Sequence, residues 1–185
     1  MRRDISEINI LEKFAIDFCK IVEKHISYII VSGFVAIASG RTRGTEDIDM
    51  ITGRMTCDSF CALHKALAQG GFVCMQSDDP KEIHSYLSDN LSVRYTQKDE
   101  PLPEMEVKFS KDKLDETQLR TRVRLPLTGL KLWFSSINVN IAFKEEYLKS
   151  PKDMEDARHL RAVYGDQISE KEISNIKRMI RELRL

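Results

Sequence analysis

Two aspartates separated by one residue stand in a short run that alternates between polar and apolar side chains. The run is Asp47-Ile48-Asp49-Met50-Ile51, and Gly53 closes it. Because side chains alternate along a strand, both carboxylates are expected to point to the same side of a sheet. Paired hard oxygen ligands suit Mg²⁺ better than zinc, and carboxylate-bound Mg²⁺ serves phosphoryl chemistry. The same pattern also fits an edge strand that carries charge against aggregation.

The segment before this strand favours the chemical interpretation. Tyr28-Ile29-Ile30-Val31 is typical of a strand buried on both faces, and Ser32-Gly33 ends it before a helix predicted from Phe34 to Ser39. Small residues at such a turn let backbone N–H groups approach a triphosphate closely. Arg41 and Arg43 lie on the loop to the acidic pair and suit phosphate contact. A plain strand, turn and helix with solvated arginines explains each piece, but not their order.

Taken together, these residues resemble the signature of the nucleotidyltransferase superfamily, the DNA-polymerase-beta-like fold. The resemblance rests on Ser32 to Ala36 and on Gly40 to Met50, a small-residue turn followed by a spacer and Asp-x-Asp. It implies an α/β (α+β) fold, a small mixed β-sheet flanked by helices with a helical C-terminal section. In that family a third acidic residue on a later strand completes the metal site, and Glu106 is the candidate here.

Two later segments extend the resemblance to small prokaryotic nucleotidyltransferases, including the abortive-infection-type toxins. They run from Pro126 to Leu132 and from Ser150 to Asp156. By that resemblance their lysines would line the triphosphate or base-binding side, and the aspartates of the second segment, Asp153 and Asp156, would brace or extend the site. The resemblance implies a catalytic and metal-binding set of Asp47, Asp49 and Glu106, and a nucleotide-binding set of Ser32, Gly33, Arg43, Thr45, Lys131, Lys152 and Asp153.

Several of these assignments have a structural alternative. Glu106 also fits the solvated face of an amphipathic strand. Asp153 also fits the third position of a helix capped by Ser150. Lys152 and Asp156, four residues apart, also fit a surface ion pair.

The resemblance implies transfer of a nucleoside monophosphate from a nucleoside triphosphate to an acceptor hydroxyl, with release of pyrophosphate. Two Mg²⁺ ions are expected, with Mn²⁺ as an alternative, and Asp49 and Glu106 would hold the second ion. Ser32 and Gly33 would donate hydrogen bonds to the triphosphate. The acceptor stays open among RNA, protein and a small molecule, and a cognate regulator protein is a further candidate partner. The alternative is a catalytically inactive member that regulates by binding nucleotide or a partner.

Composition limits the partners and the compartment. The 185 residues include 29 Lys and Arg and 29 Asp and Glu, a formal net charge of +0 that argues against avid non-specific nucleic-acid binding. A local basic stripe stays open, with Arg120, Arg122 and Arg124 on one predicted strand face. No apolar run is long enough to cross a bilayer, and the first 15 residues do not resemble a signal peptide. We therefore expect a cytoplasmic protein with reduced thiols and no membrane partner.

Periodicity predicts the elements that position these residues. Helical spacing begins with Ile8, Leu11, Phe14, Phe18 and Val22, and a later helix capped by Thr56 or Asp58 ends at Gly70-Gly71. Strands are predicted at 72–75, 91–96 and 105–110, the last two joined by a turn through 99–103. Further helices are predicted after Pro80, from Gly129, from Pro151 and through Ile173 to Leu183. The predicted division is a core over 1–125 and a helical section over 126–185 packed on it.

Overall fold

The sheet holds the two aspartates in one of its inner strands. A computed structural model of the chain describes residues 9–185, so Ile8 of the predicted first helix lies outside the described residues. The strands of this part are β1 Tyr28–Val31, β2 Asp47–Thr52, β3 Phe72–Cys74, β4 Val93–Gln97 and β5 Glu100–Phe109. They form one sheet in the order β1-β2-β5-β4-β3. β2 and β5 are parallel, and the other neighbouring pairs are antiparallel.

Helices flank this mixed sheet, and the predicted fold class is confirmed. They are α1 Ile10–Val22, α2 Gly33–Ala38, α3 Cys57–Gln69, α4 Pro80–Ser88, α5 Lys113–Arg120, α6 Ile137–Phe143, α7 Pro151–Tyr164 and α8 Glu170–Arg184. A π-helical turn, Lys144–Leu148, continues α6. Of the two candidate caps for α3, the Thr56 side chain accepts from the backbone N–H of Ser59. No helix within residues 9–185 is long and apolar enough to cross a membrane.

The two faces of the sheet differ in chemistry, and strand alternation is the reason. One face is apolar and buried beneath α1, α3 and α4, and its inner strands contribute Ile48, Met50, Met105 and Val107. On the opposite face the same strands carry acidic and basic side chains. α5 packs against β1 and β2 on that side, and α6 packs against both α7 and α8. The polar face of the sheet is therefore turned toward the C-terminal helices.

The strands around Glu106 are confirmed, but the turn between them is shorter than predicted. β4 ends at Gln97 and β5 begins at Glu100, so most of the predicted turn over 99–103 is strand. Asp99 takes a positive φ of 66° in the tight connection. Prolines 101 and 103 are tolerated because β5 begins to pair with β2 only at Glu104, so this stretch lacks a partner on that side.

The helix predicted from Gly129 is wrong, and so is the strand face predicted for the arginines. Gly129 takes a left-handed conformation with a φ of 70°, and residues 130–135 are not helical because the outer edge of β1 offers them backbone partners. Ile30 N–H donates to the Trp133 carbonyl at 2.9 Å, and Ser135 N–H donates to the Ile30 carbonyl at 3.1 Å. Arg120 instead ends α5, a helix that the sequence did not predict. Helix α6 begins only at Ile137, after its cap Ser136.

Candidate active site

The turn after β1 is held by contacts from three other parts of the chain. Ser32 has a φ of 65°, which costs a non-glycine residue about 1–3 kcal/mol and is typical of functional turns. Its backbone N–H donates to Asn140 Oδ1 at 3.2 Å, so this predicted donor to a triphosphate is already in use. Its side chain lies near Asp49 and acts to lower the pKa of that carboxyl. A Cβ on Gly33 would lie 3.0 Å from Arg43 Nη2, so the absence of a side chain lets the guanidinium rest on the turn.

The predicted carboxylates are brought together by strand register. In the parallel pair of β2 and β5, Asp47 lies opposite Glu104 and Asp49 lies opposite Glu106. Residues in register share a face, so all four side chains project from the polar face. The Thr45 hydroxyl donates to Asp47 Oδ1 at 2.8 Å and orients that carboxylate.

Two basic residues that the sequence analysis left out of the site complete this face. Lys108 Nζ lies 2.5 Å from Glu106 Oε1 and 3.7 Å from Asp49 Oδ1. Arg94 Nη2 lies 3.3 Å from Glu106 Oε2, because Arg94 on β4 is the register partner of Glu106. Lys108 was detectable in principle, since it stands two residues after Glu106 and alternation places both on one face.

The two inner carboxyls have opposite pKa shifts. Burial raises the pKa of Asp49, and the Glu106 and Asp47 charges add to this against Lys108 and Ser32. Burial also opposes ionisation of Glu106, but Lys108 and Arg94 outweigh it and lower the pKa of Glu106. Glu106 is therefore held ionised, whereas Asp49 takes up a proton more readily than an ordinary aspartate.

The donor set fits one hard cation better than a three-carboxylate cluster. Asp47 and Asp49 supply the oxygen ligands that Mg²⁺ prefers. Within residues 9–185, however, no three His, Cys, Asp or Glu side chains are grouped so that they could hold a metal ion. The reason is local, since Glu106 is bonded to Lys108 and Arg94. The residues therefore fit an ion at Asp47 and Asp49 whose other ligands come from outside the chain.

A buried ionic cluster, here called the Asp156 cluster, holds the loop before β2. The Asp156 side chain is fully buried and pairs with Arg43, with Arg41 Nη1 at 3.0 Å and with Lys144 Nζ at 2.8 Å. Asp156 therefore cannot form the surface pair with Lys152 that was the predicted alternative. The Nε of Arg43 is buried without a hydrogen-bond partner. The cluster fixes the Arg43 guanidinium over the Gly33 turn.

Asp153 belongs to the same cluster and also to the start of α7. Its backbone N–H donates to the Ser150 side chain, which caps the helix as expected, and the Ser150 hydroxyl donates back to the Asp153 carboxylate. Lys144 Nζ donates to its other oxygen at 3.2 Å. Both Asp153 oxygens thus have partners in this structure, and its predicted contact with nucleotide stays a prediction.

The other predicted lysines and arginines lie elsewhere. Lys131 is exposed beside the Tyr28 end of β1, away from the Ser32 end, because its segment runs parallel to β1. Lys152 is exposed in the first turn of α7. The guanidinium carbons of Arg122 and Arg124 lie 4.7 and 4.0 Å from the centre of the Trp133 ring. Trp133 belongs to the same segment as Lys131. The predicted basic stripe is therefore not beside the acidic residues.

A pocket of about 300 Å³ opens between the polar face and the C-terminal helices. Asp49, Ser32 and Lys108 lie on its sheet side. The opposite side combines apolar Phe143 and Leu148 with the aromatic ring of Tyr147 and the polar groups of Asn140 and Lys144. Its volume is at the lower end of the range of roughly 300–1,000 Å³ for small-molecule sites.

The arrangement of strands and helices is similar to that of two solved structures. The solution structure of the antibiotic-resistance factor ANT(2'')-Ia superposes with a TM-score of 0.56 at 14% identity, over 92% of this chain and 90% of that one. The crystal structure of an antigenic nucleotidyltransferase-like protein from Paracoccidioides brasiliensis gives a TM-score of 0.55 at 19% identity, over 92% and 88%. The chain has the nucleotidyltransferase fold. No family model and no curated protein sequence matches this chain.

Proposed function

We propose that this chain is an enzyme that transfers a nucleoside monophosphate from a nucleoside triphosphate to an acceptor hydroxyl. One observation carries the proposal: Asp47, Asp49 and Glu106 project from one sheet face, and Asp49 and Ser32 of that region line a pocket of about 300 Å³. The nucleotidyltransferase fold supports it. Mg²⁺ is the proposed cofactor and Mn²⁺ the alternative, since both accept carboxylate oxygens.

Asp47 and Asp49 would hold the cation, and the Thr45 hydroxyl orients the Asp47 carboxylate. When bound, Mg²⁺ would neutralise triphosphate charge. Arg43 is the proposed phosphate contact, because its guanidinium rests on the Gly33 turn and is fixed by the Asp156 cluster. A guanidinium that is already held in place loses little conformational freedom when it binds an anion.

Glu106 would accept a hydrogen bond from the acceptor hydroxyl. The acceptor oxygen attacks the α-phosphorus, the bond from that phosphorus to the bridging oxygen breaks, and pyrophosphate leaves with the electron pair. The hydroxyl proton passes to the Glu106 carboxylate. Because its pKa is lowered, Glu106 is a weak base, so its main contribution is to orient the hydroxyl.

The pocket would receive the nucleoside part of the substrate. Phe143, Tyr147 and Leu148 offer apolar and aromatic surface to a base. Ser32 and Asp49 stand at the edge of the same pocket, so the phosphates would extend from the nucleoside toward the carboxylates.

Calorimetry with each nucleoside triphosphate, with and without Mg²⁺, tests this function. Binding is expected to require Mg²⁺ and to be lost in the Asp47→Asn/Asp49→Asn variant. Asp58→Asn, which changes an exposed aspartate of α3, is the matched control and should bind like the wild type. Binding that is independent of Mg²⁺ and unchanged in the double variant would reject the site. Asp49→Asn alone should remain folded and abolish transfer of a labelled α-phosphate.

The regulator that binds nucleotide without catalysis is the second candidate. It is favoured by the bond between Lys108 and Glu106, which neutralises the carboxylate assigned to the acceptor. The enzyme is expected to lose turnover but keep nucleotide affinity in Glu106→Gln. The regulator is expected to bind nucleotide without turnover in either protein.

A further inference from the structure

We propose that Lys108 occupies the place of a second divalent cation between Asp49 and Glu106, so that the site holds a single divalent ion. The inference rests on the proposed function, because it concerns the same carboxylates. It differs from the expectation of two Mg²⁺ ions, and it makes the Lys108 ammonium a fixed part of the site.

The geometry places the ammonium between the two carboxylates. Nζ lies 2.5 Å from Glu106 Oε1 and 3.7 Å from Asp49 Oδ1. The two carboxylates are in register on neighbouring strands and are largely buried, with 25% of the Asp49 side chain and 12% of the Glu106 side chain exposed. Like charges so placed repel strongly unless a cation lies between them. Lys108 supplies that cation from the chain itself.

The remaining oxygen of Glu106 is also in use. Arg94 Nη2 reaches Oε2 at 3.3 Å, so cations from β5 and β4 contact both oxygens of this carboxylate. A metal ion would have to displace at least one of them. Asp47 differs, because it is exposed and accepts from the Thr45 hydroxyl rather than from a cation. Binding of a divalent ion is therefore favoured at the Asp47 end and opposed at the Glu106 end.

The side chain of Lys108 is also chemically suited to a position between two carboxylates. An ammonium is a compact point charge on a flexible stem, whereas a guanidinium is broad and planar. Ile51 is the register partner of Lys108 on β2, and both residues line the pocket, so the stem lies along the pocket wall. With 44% of its side chain exposed, the ammonium stays in reach of a bound phosphate as well as of the carboxylates.

Counting bound Mn²⁺ in the absence of nucleotide, from the electron paramagnetic resonance signal of the free ion, tests the proposal. The wild type is expected to bind one Mn²⁺, which Asp47→Asn abolishes. Lys108→Met, which keeps the stem and removes the charge, should bind a second ion and hold the first roughly tenfold more tightly. Lys108→Arg should retain one. Lys111→Met, which removes another lysine of the same pocket, should match the wild type.

The outcomes separate this inference from the proposed function. Two ions in the wild type, or one in a folded Lys108→Met, overturn the role of Lys108 and leave the function standing. A second ion in Lys108→Met that disappears in the Lys108→Met/Glu106→Gln double variant supports the role and places the ion at Glu106. Mn²⁺ bound by none of these proteins would overturn the role of Lys108, whereas calorimetry with nucleoside triphosphate and Mg²⁺ decides the proposed function separately. Near-ultraviolet circular dichroism shows whether each variant is folded.

Discussion

The chain contains two charged clusters close together, and they differ in their access to solvent. In the Asp156 cluster the Asp156 and Lys144 side chains are 0% and 1% exposed. On the polar face, Asp49 and Lys108 are 25% and 44% exposed and line an open pocket. Both clusters combine carboxylates with basic side chains, and from the sequence both are candidates for nucleotide contact.

Because of this difference in burial, the Asp156 cluster stabilises the fold, whereas the polar face is able to bind a ligand. A buried ion pair has lost its hydration, so removing one partner leaves an uncompensated charge at high cost. The Asp156 cluster therefore holds the loop of Arg41 and Arg43 in one arrangement. The polar face keeps solvent contact, so its charges can exchange partners with a ligand at lower cost. Four predictions test this distinction, ordered from the largest expected effect to the smallest.

Asp156→Asn is expected to destabilise the fold most, by about 3–5 kcal/mol, because Arg41, Arg43 and Lys144 lose their shared carboxylate. Urea unfolding measures the change. Glu155→Gln is the control, since Glu155 pairs with Arg41 but is 57% exposed and should cost less than about 1 kcal/mol. Equal losses in the two variants would refute a bracing role for Asp156.

Glu145→Gln should cost about 1–2 kcal/mol at neutral pH, because Glu145 bonds to Arg161 and Lys177 across the C-terminal helices. Burial opposes ionisation, but these partners outweigh it and lower the pKa of Glu145. The wild-type advantage is complete above the unfolded pKa and is lost as pH falls through the folded pKa. Urea unfolding across a pH series, with the exposed Glu182→Gln as control, checks this window. A difference in stability between the wild type and Glu145→Gln that persists in acid would argue against the ion pairs.

Asp49→Asn should keep or raise stability, by up to about 1 kcal/mol, while abolishing transfer. Burial raises the pKa of Asp49, so the folded chain binds this proton more tightly than the unfolded chain. Wild-type stability therefore falls as pH rises through that interval, and Asn removes the fall. Thermal unfolding should show a gain in the stability of Asp49→Asn at neutral pH and no gain in acid. Exposed Asp47→Asn should show no such gain, and a loss on Asp49→Asn would make its charge structural.

Lys131→Ala and Lys152→Ala should change stability by less than about 0.5 kcal/mol, because both side chains are exposed. Nucleotide affinity should also remain unchanged, since neither residue lines the pocket. Calorimetry with the triphosphate that binds the wild type measures this. A clear loss of affinity in either variant would return that lysine to the nucleotide site, as the sequence resemblance to small prokaryotic nucleotidyltransferases implied.

The sequence predicted the part of the site whose causes are local. The apolar run of β1, the Ser32–Gly33 turn and the alternation around Asp47 and Asp49 are short-range patterns, and the structure places all of them as expected. Glu106 was selected by the family resemblance, and the same alternation places it on the polar face. The partners of these residues were harder to predict, because strand register and helix packing decide them over long separations.

Two features show this limit. Residues 130–135 are not helical, because the edge of β1, far earlier in the chain, offers Trp133 and Ser135 backbone hydrogen bonds. Lys144 looks like a surface lysine in sequence, yet the helical turn after α6 buries it beside Asp156. Local periodicity predicts neither outcome, because each depends on a partner that is distant along the chain.

The extended segment at Phe134 has a consequence for cutting the chain. It bonds to Ile30 on one side and to Val123 on the other, and Asn140 ties the same region to Ser32. A polypeptide ending at residue 125 would leave the β1 edge open and prone to self-association. Supplying residues 126–185 as a separate peptide should cover that edge and restore a soluble complex, so the two pieces would behave as halves of a split protein.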